Sequence, residues 1–266
     1  MVISMNRQEQ VIYYKDELQD EFAGDHIVAK KIDGGYRYLN DSLAGRILHI
    51  FWYRVVATPL AAVYMKLHFH HKIVNKKVLQ EAEEMGYFMF GNHTHFLADP
   101  LVPTRVNFPK RVSVIVHPNN VSMPVLGKIT PFLGALPLPD DQYAAKNFLN
   151  AIKTRIGAGD CIMIYPEAHI WPYYTDIRPF TDASFRYPVQ YHAPVFSLTN
   201  TYQKRRFSKK PRMVTYIDGP FYSDRKLTAK EQKRQLRDVV YQTMKKRALA
   251  NQVCLIQYKR VNEIEK

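Results

Sequence analysis

The four apolar residues Tyr87-Phe88-Met89-Phe90 stop at Gly91-Asn92, and the next stretch, His93-Thr94-His95-Phe96-Leu97-Ala98-Asp99-Pro100, holds two histidines and an aspartate. A short aromatic and apolar run ended by Gly-Asn reads as a buried strand leaving its sheet. The polar residues after it are then expected at a strand's carboxyl end, where open α/β sheets collect their active sites. Further runs at Arg111 to Val116, Cys161 to Tyr165, Val195 to Thr199 and Val214 to Ile217 alternate with helical patterns. That alternation predicts an α/β fold with a mixed, mostly parallel sheet flanked by helices.

The segments between the runs carry helix signals. Asn75 to Met85 places Val78, Leu79 and Ala82 at helical spacing, with Gly86 positioned to end the helix. After a short strand near Gly134 to Leu138, Asp140 is expected to cap a helix whose inner face carries Ala144, Ala145, Phe148, Leu149, Ile152 and Ile156. Thr228-Ala229-Lys230-Glu231 has the spacing of a capping box, opening a helix with Leu236, Val239, Val240, Met244 and Leu249 inward and a basic outer face. Near the start, residues His26 to Tyr38 flank Asp33-Gly34-Gly35 as a predicted hairpin. The expected organisation is therefore an N-terminal extension with that hairpin over 1–45, an apolar helical segment over 46–73, and an α/β domain with a C-terminal basic helix over 74–266.

Ile47 to Leu67 is the most apolar stretch and is nearly long enough to span a bilayer, yet it contains Arg54 as well as His49 and Pro59. A central Arg costs about 2.5–3.5 kcal/mol on insertion scales. The expectation is a helix pair lying in or against the membrane interface, with Trp52, Tyr53 and Tyr64 at headgroup depth and Lys66, His68 and Lys72 facing phosphates. Two ordinary core helices of a soluble domain are the alternative. With 38 Lys and Arg against 24 Asp and Glu, the formal charge of +14 points to polyanionic partners. No nucleic-acid-binding motif accompanies the charge, so an anionic membrane surface is the expected partner and nucleic acid is not. Cys161 and Cys254 stand far apart, which points away from a disulfide scaffold or a cysteine zinc site. Met1 to Gln10 have no long apolar core and no small-residue cleavage site, so export is not expected.

His93 or His95 with Asp99 forms a candidate proton-transfer dyad, because an imidazole accepts a proton near neutral pH and a carboxylate fixes its tautomer. No Ser or Cys in a nucleophile-elbow pattern accompanies it, so the nucleophile is expected to belong to the substrate, as an alcohol. The same three residues also have the types of a metal site, with His117, His169 or His192 to complete a shell, which would make the chain a metal-dependent hydrolase. A basic membrane-binding protein without catalysis is the third reading.

Asn92-His93, Asp99-Pro100, Tyr165-Pro166-Glu167 and Ala193-Pro194-Val195-Phe196, in that order over about 100 residues, resemble motifs of the glycerolipid acyltransferase family, which includes lysophosphatidic acid acyltransferases. Gly134-Ala135-Leu136-Pro137-Leu138 stands where that family's second motif belongs, and the resemblance covers residues from about 74 to 220. There are departures: five residues rather than four separate His93 from Asp99, Pro139-Asp140-Asp141 replaces the second motif's Arg, and Ala168-His169-Ile170 replaces the third motif's Gly-Thr-Arg. The resemblance implies a membrane-associated O-acyltransferase at the cytoplasmic face, peripheral or monotopic. It would move a fatty acyl group from acyl-CoA or acyl carrier protein to a hydroxyl of a lysophospholipid-like acceptor, with no metal or other cofactor. His93 is the implied base and Asp99 its orienting partner, while Glu167, Asn92, His95 and Arg178 are the implied substrate-binding set. Arg178, Arg186, Lys128 and His169 are the candidate cations for the missing phosphate clamp, and spacing does not select among them.

Overall fold

In the computed structural model, which describes residues 10–23, 27–40 and 42–261, the apolar runs become neighbours in one sheet. The strands are β1 (Gln10–Tyr14), β2 (Lys72–Val74), β3 (Tyr87–Gly91), β4 (Val112–Val116), β5 (Ala135–Pro137), β6 (Cys161–Ile164), β7 (Val195–Arg205), β8 (Ser208–Phe221) and β9 (Ile256–Arg260). Seven of them form a sheet in the order β2-β8-β7-β3-β6-β4-β5. Every neighbouring pair is parallel except β7 and β8. The remaining two, β1 and β9, pair in parallel as a separate ribbon.

Side chains of β3 alternate between two apolar layers. Phe88 and Phe90 join Ile162 and Ile164 beneath helices Gln142–Gly157 and Ala229–Ala248, which contribute Phe148, Ile152, Leu236, Val240 and Met244. Tyr87 and Met89 join Met163, Phe196 and Leu198 on the other face, beneath Val102 and Val106 of helix Ala98–Asn107 and Met65 and Phe69 of the apolar helix. Covering both faces is what makes these strands read as continuous apolar runs. From β3 the chain crosses the second layer through helix Ala98–Asn107, whereas from β6 it returns through helix Arg186–Tyr191, whose Tyr187 and Val189 sit in the first. Connections that part to opposite faces open a crevice at the carboxyl ends of the two strands.

The apolar segment is one continuous helix, Leu43–Phe69, of 27 residues, rather than the expected pair. Its middle, Ile50–Ala57, is π-helical, and the Thr58 N–H donates to the Tyr53 carbonyl five residues back. Pro59 lacks an N–H and its ring crowds the carbonyl four residues earlier, so a wider turn lets the helix pass a residue that would otherwise break it. Its inner stripe is Tyr53, Ala61, Met65 and Phe69, and the Tyr53 hydroxyl accepts from the Val112 N–H at 3.0 Å. Arg54 donates to the Pro109 carbonyl. The outer stripe, including Leu43, Ile47, Ile50, Val55, Leu60, Val63 and Leu67, is exposed. Among the described residues this is the one helix long and apolar enough to cross a membrane.

Several local expectations change in the fold. The turn at Asp33 forms, with the Tyr36 N–H donating to the Asp33 carbonyl at 3.0 Å, but residues 27–40 contain no strand; His26 lies outside the described residues. The Ile32 N–H donates instead to Asp140 Oδ2 at 2.7 Å and its carbonyl accepts from the Asp140 N–H at 3.0 Å. With Asp140 so engaged, the helix cap passes to Asp141, whose carboxylate accepts from the Ala144 N–H at 2.8 Å. Lys76–Ala82 is a tighter 3₁₀ helix, and Val239 and Leu249 of the last helix face outward, the inner stripe running Leu236, Val240, Met244, Ala248.

Candidate active site

Gly91, Asn92 and His93 leave β3 beside the residues that leave β6. A Cβ at Gly91 would lie 2.4 Å from Met163 Cε and 3.1 Å from the Tyr165 ring, so only glycine lets that ring close over the loop. Tyr165 then stacks on His93 with ring centroids 4.4 Å apart, and its hydroxyl donates to the Asp99 carbonyl at 2.5 Å. Asn92 fastens the loop to β7, accepting from the Asn200 N–H at 2.8 Å and donating to the Asn200 carbonyl at 3.0 Å.

His93 Nδ1 lies 2.7 Å from Asp99 Oδ2. The same oxygen accepts the backbone N–H groups of Thr94 at 2.8 Å and His95 at 2.9 Å, and the carboxylate is fully buried in the first turn of helix Ala98–Asn107. Two backbone N–H groups already donate to that oxygen at the positive end of a helix, so it faces Nδ1 as an acceptor. An ionised carboxylate can only accept, so Nδ1 carries the proton and Nε2 keeps its lone pair. The imidazole is 18% exposed, and among the described residues Nε2 has no partner. An imidazole held in this way can accept a proton at Nε2.

His95 turns the other way. Its Nδ1 accepts the N–H groups of Leu97 and Ala98, each at 3.2 Å, which caps helix Ala98–Asn107 and takes up the extra residue in a turn at Phe96 and Leu97. The ring packs edge-on to Phe69 at 5.0 Å, and burial pushes its pKa below the usual histidine value, although nearby Asp99 opposes this. His93, His95 and Asp99 therefore do not converge on a common point. Among the described residues no three His, Cys, Asp or Glu side chains are grouped to hold a metal ion.

Glu167 stands behind the loop rather than in the crevice. Its Oε2 accepts the His93 N–H at 2.9 Å, Oε1 accepts the Arg178 N–H at 3.0 Å, and the Arg178 guanidinium approaches Oε2 at 3.5 Å. Arg178 is 1% exposed, also donating to the carbonyls of His169 and of Glu17 at 3.2 Å and lying over the Trp171 ring. Of the other candidate cations, His169 pairs with Glu21 at 3.0 Å, Arg186 donates to the Tyr187 hydroxyl, and Lys128 is exposed on the short helix Leu126–Ile129.

Sequence reasoning passed over the residues behind Asp99. Asn200 Nδ2 faces Asp99 Oδ1 at 3.5 Å, Thr215 Oγ1 donates to Asn200 Oδ1 at 2.6 Å, and His71 Nε2 lies 2.7 Å from Thr215 Oγ1. Because the Thr215 proton goes to Asn200, His71 must donate, so a neutral Nε2–H imidazole ends the chain. The available signal was Ser197-Leu198-Thr199-Asn200-Thr201, a polar series inside a strand otherwise apolar and buried. Burial and, secondarily, Arg105 hold the His71 pKa down to about 3, against an ordinary 6.5. Below 6.5 the unfolded chain takes up a proton that the folded chain refuses, so stability is lost as pH falls, at up to about 1.4 kcal/mol per pH unit. His71→Gln keeps a donor for Thr215 and removes this slope. Denaturant midpoints should show the wild type losing about 2 kcal/mol more than the variant between pH 6.5 and pH 5; equal losses would exclude a buried neutral His71.

No family model and no curated protein matches the chain. Among solved structures it is similar to the 1-acyl-sn-glycerophosphate (LPA) acyltransferase PlsC from Thermotoga maritima, with a TM-score of 0.52 and 12% identity over 82% of this chain and 87% of that one. At that identity the likeness is one of fold, a sheet and helix arrangement like that of a glycerolipid acyltransferase.

Proposed function

We propose that the protein is a membrane-associated O-acyltransferase that moves a fatty acyl group from a thioester of coenzyme A or acyl carrier protein to a hydroxyl of a glycerolipid acceptor. The observation that carries this reading is the His93–Asp99 pair, with its proton on Nδ1, its Nε2 unpartnered among the described residues, and its place just beyond the carboxyl end of β3. His93 Nε2 removes the acceptor's hydroxyl proton as the oxygen attacks the thioester carbonyl. The tetrahedral intermediate collapses with cleavage of the carbon–sulfur bond, and the imidazolium returns the proton to the departing thiolate. Asp99 stabilises the imidazolium and holds the ring. The fold likeness to an LPA acyltransferase and the exposed apolar stripe of Leu43–Phe69 support the same reading.

Asn92, Glu167 and Arg178 act in this scheme as positioning residues. Asn92 and Glu167 have their polar atoms committed to backbone or to Arg178, and the buried Arg178 guanidinium donates to Glu167 and to carbonyls, so they shape the loop without touching substrate. His95 holds the start of helix Ala98–Asn107 through the Leu97 and Ala98 N–H groups. The membrane face is the cytoplasmic one, with the outer stripe of the apolar helix lying in the interface. Labelled acyl-CoA and acyl carrier protein thioesters, offered with a panel of lysolipids in detergent and in vesicles, test the proposal: transfer to at least one acceptor is expected, and transfer to none rejects it.

A further inference from the structure

The hairpin joining β7 to β8 reaches the end of the apolar helix and borders an open surface cleft of about 620 Å³ there. One wall is Leu60, Val63 and Leu67, all more than half exposed. The opposite rim is Arg205 and Lys210. Arg205 ties the two elements together, donating through Nη2 to the His68 carbonyl at 2.5 Å and through Nε to the Pro211 carbonyl at 3.0 Å. Among the described residues no carboxylate pairs with either cation. The His68 ring, stacked on Tyr64, has its pKa lowered by burial and then by Lys210 and Arg205, a sign of uncompensated positive potential in the cleft. At the hairpin tip Phe207 is 89% exposed, with the Arg206 guanidinium over its ring.

An apolar wall facing a cationic rim, beside a bare aromatic, matches an amphiphile with a phosphate. A small soluble anion leaves the leucine and valine wall in water, and a nucleic acid does the same. We propose that this cleft is a headgroup site for an anionic phospholipid of the bilayer, with Phe207 at the interface and Arg205 and Lys210 on the phosphate. The proposal rests on the membrane-bound reading above and gives it a partner. The occupant is a neighbouring membrane lipid rather than the acceptor, on geometric grounds. Arg205 stands five residues beyond Asn200 on β7, and Asn200 faces Asp99. At about 3.3 Å per residue, the rim is on the order of 16 Å from the dyad. A lysolipid's phosphate and its free hydroxyl are only a few bonds apart, so a phosphate held by Arg205 cannot present its own hydroxyl to His93.

The test is sedimentation of the full chain with vesicles of phosphatidylcholine alone or mixed with phosphatidylglycerol, scored by partitioning and without acyl transfer. Arg205→Gln/Lys210→Gln should weaken binding to the mixed vesicles by about 30-fold, and Lys210→Gln alone, on an exposed side chain, by about fivefold. Arg225→Gln/Lys226→Gln removes the same charge beyond the opposite end of β8 and should change binding by less than about twofold. If that control loses as much, diffuse charge is responsible and the site is rejected. The site is also rejected if Arg205→Gln/Lys210→Gln binds like wild type, or if glycerol phosphate releases the protein from the vesicles. In those cases the membrane-bound reading stands; wild type failing to bind mixed vesicles overturns both.

Discussion

Replacing His93 with alanine is expected to lower acyl transfer by about 10²–10⁴-fold, the usual range for loss of a positioned general base. The fold should hardly change, because the ring sits at the crevice surface against Tyr165. Asp99→Asn should cost a similar factor by a different route. Three N–H donors converge on one oxygen and the Asn200 amide faces the other, so an asparagine amide placed at either position opposes a donor. The imidazole then loses the acceptor that fixes its tautomer, and the loop loses an anchor. His95→Ala separates the two histidines. It removes the cap of helix Ala98–Asn107, worth about 1 kcal/mol, and should leave turnover within about tenfold of wild type. Steady-state rates for the three variants, with circular dichroism to confirm folding, check the assignment. Full activity in His93→Ala, or a larger loss in His95→Ala, would place the base elsewhere.

What was legible in the sequence followed from local physics. The runs at Tyr87, Arg111 and Cys161 are buried on both faces, so their composition alone identifies strands, and the loop after β3 follows from where that strand stops. The capping box at Thr228 is likewise local and is present. What failed depends on distant partners. Asp140 has every property of a cap, and its commitment to Ile32 across more than a hundred residues is invisible in its neighbourhood. Pro59 signals a break, but the π-helical turn before it preserves the helix. The hairpin Val195 to Phe221 was visible only as two short runs, because Lys204-Arg205-Arg206-Phe207-Ser208 resembles a loop until pairing along both strands extends it. Arg178 is a phosphate-ligand candidate by charge, and its place against Trp171, Glu167 and two carbonyls is set by the fold rather than by its sequence neighbourhood.

Arg178→Met should destabilise the protein by about 3–5 kcal/mol, the cost of leaving one partner of a buried ion pair without the other. Glu167 is the group left behind. Burial already raises its pKa above the ordinary 4.5 despite Arg178 and two backbone N–H groups, and the variant deletes the largest of the opposing influences. The folded variant then holds a proton at pH values where its unfolded chain has released it. Its stability therefore falls as pH rises from about 4.5 toward neutrality and is partly regained in acid, so urea midpoints of wild type and variant should converge as pH is lowered. Adding Glu167→Gln should recover part of the neutral-pH loss by removing the charge, while one backbone donor, of His93 or Arg178, stays poorly matched by the new amide. That residue of mismatch separates stability from function: with the stability loss reduced, the double variant should still turn over slowly, because the His93 N–H is no longer held by a carboxylate. A single variant as stable as wild type at neutral pH would mean that Arg178 does not hold Glu167 ionised, and the loop's geometry would then rest on Asp99, Asn92 and Tyr165 alone.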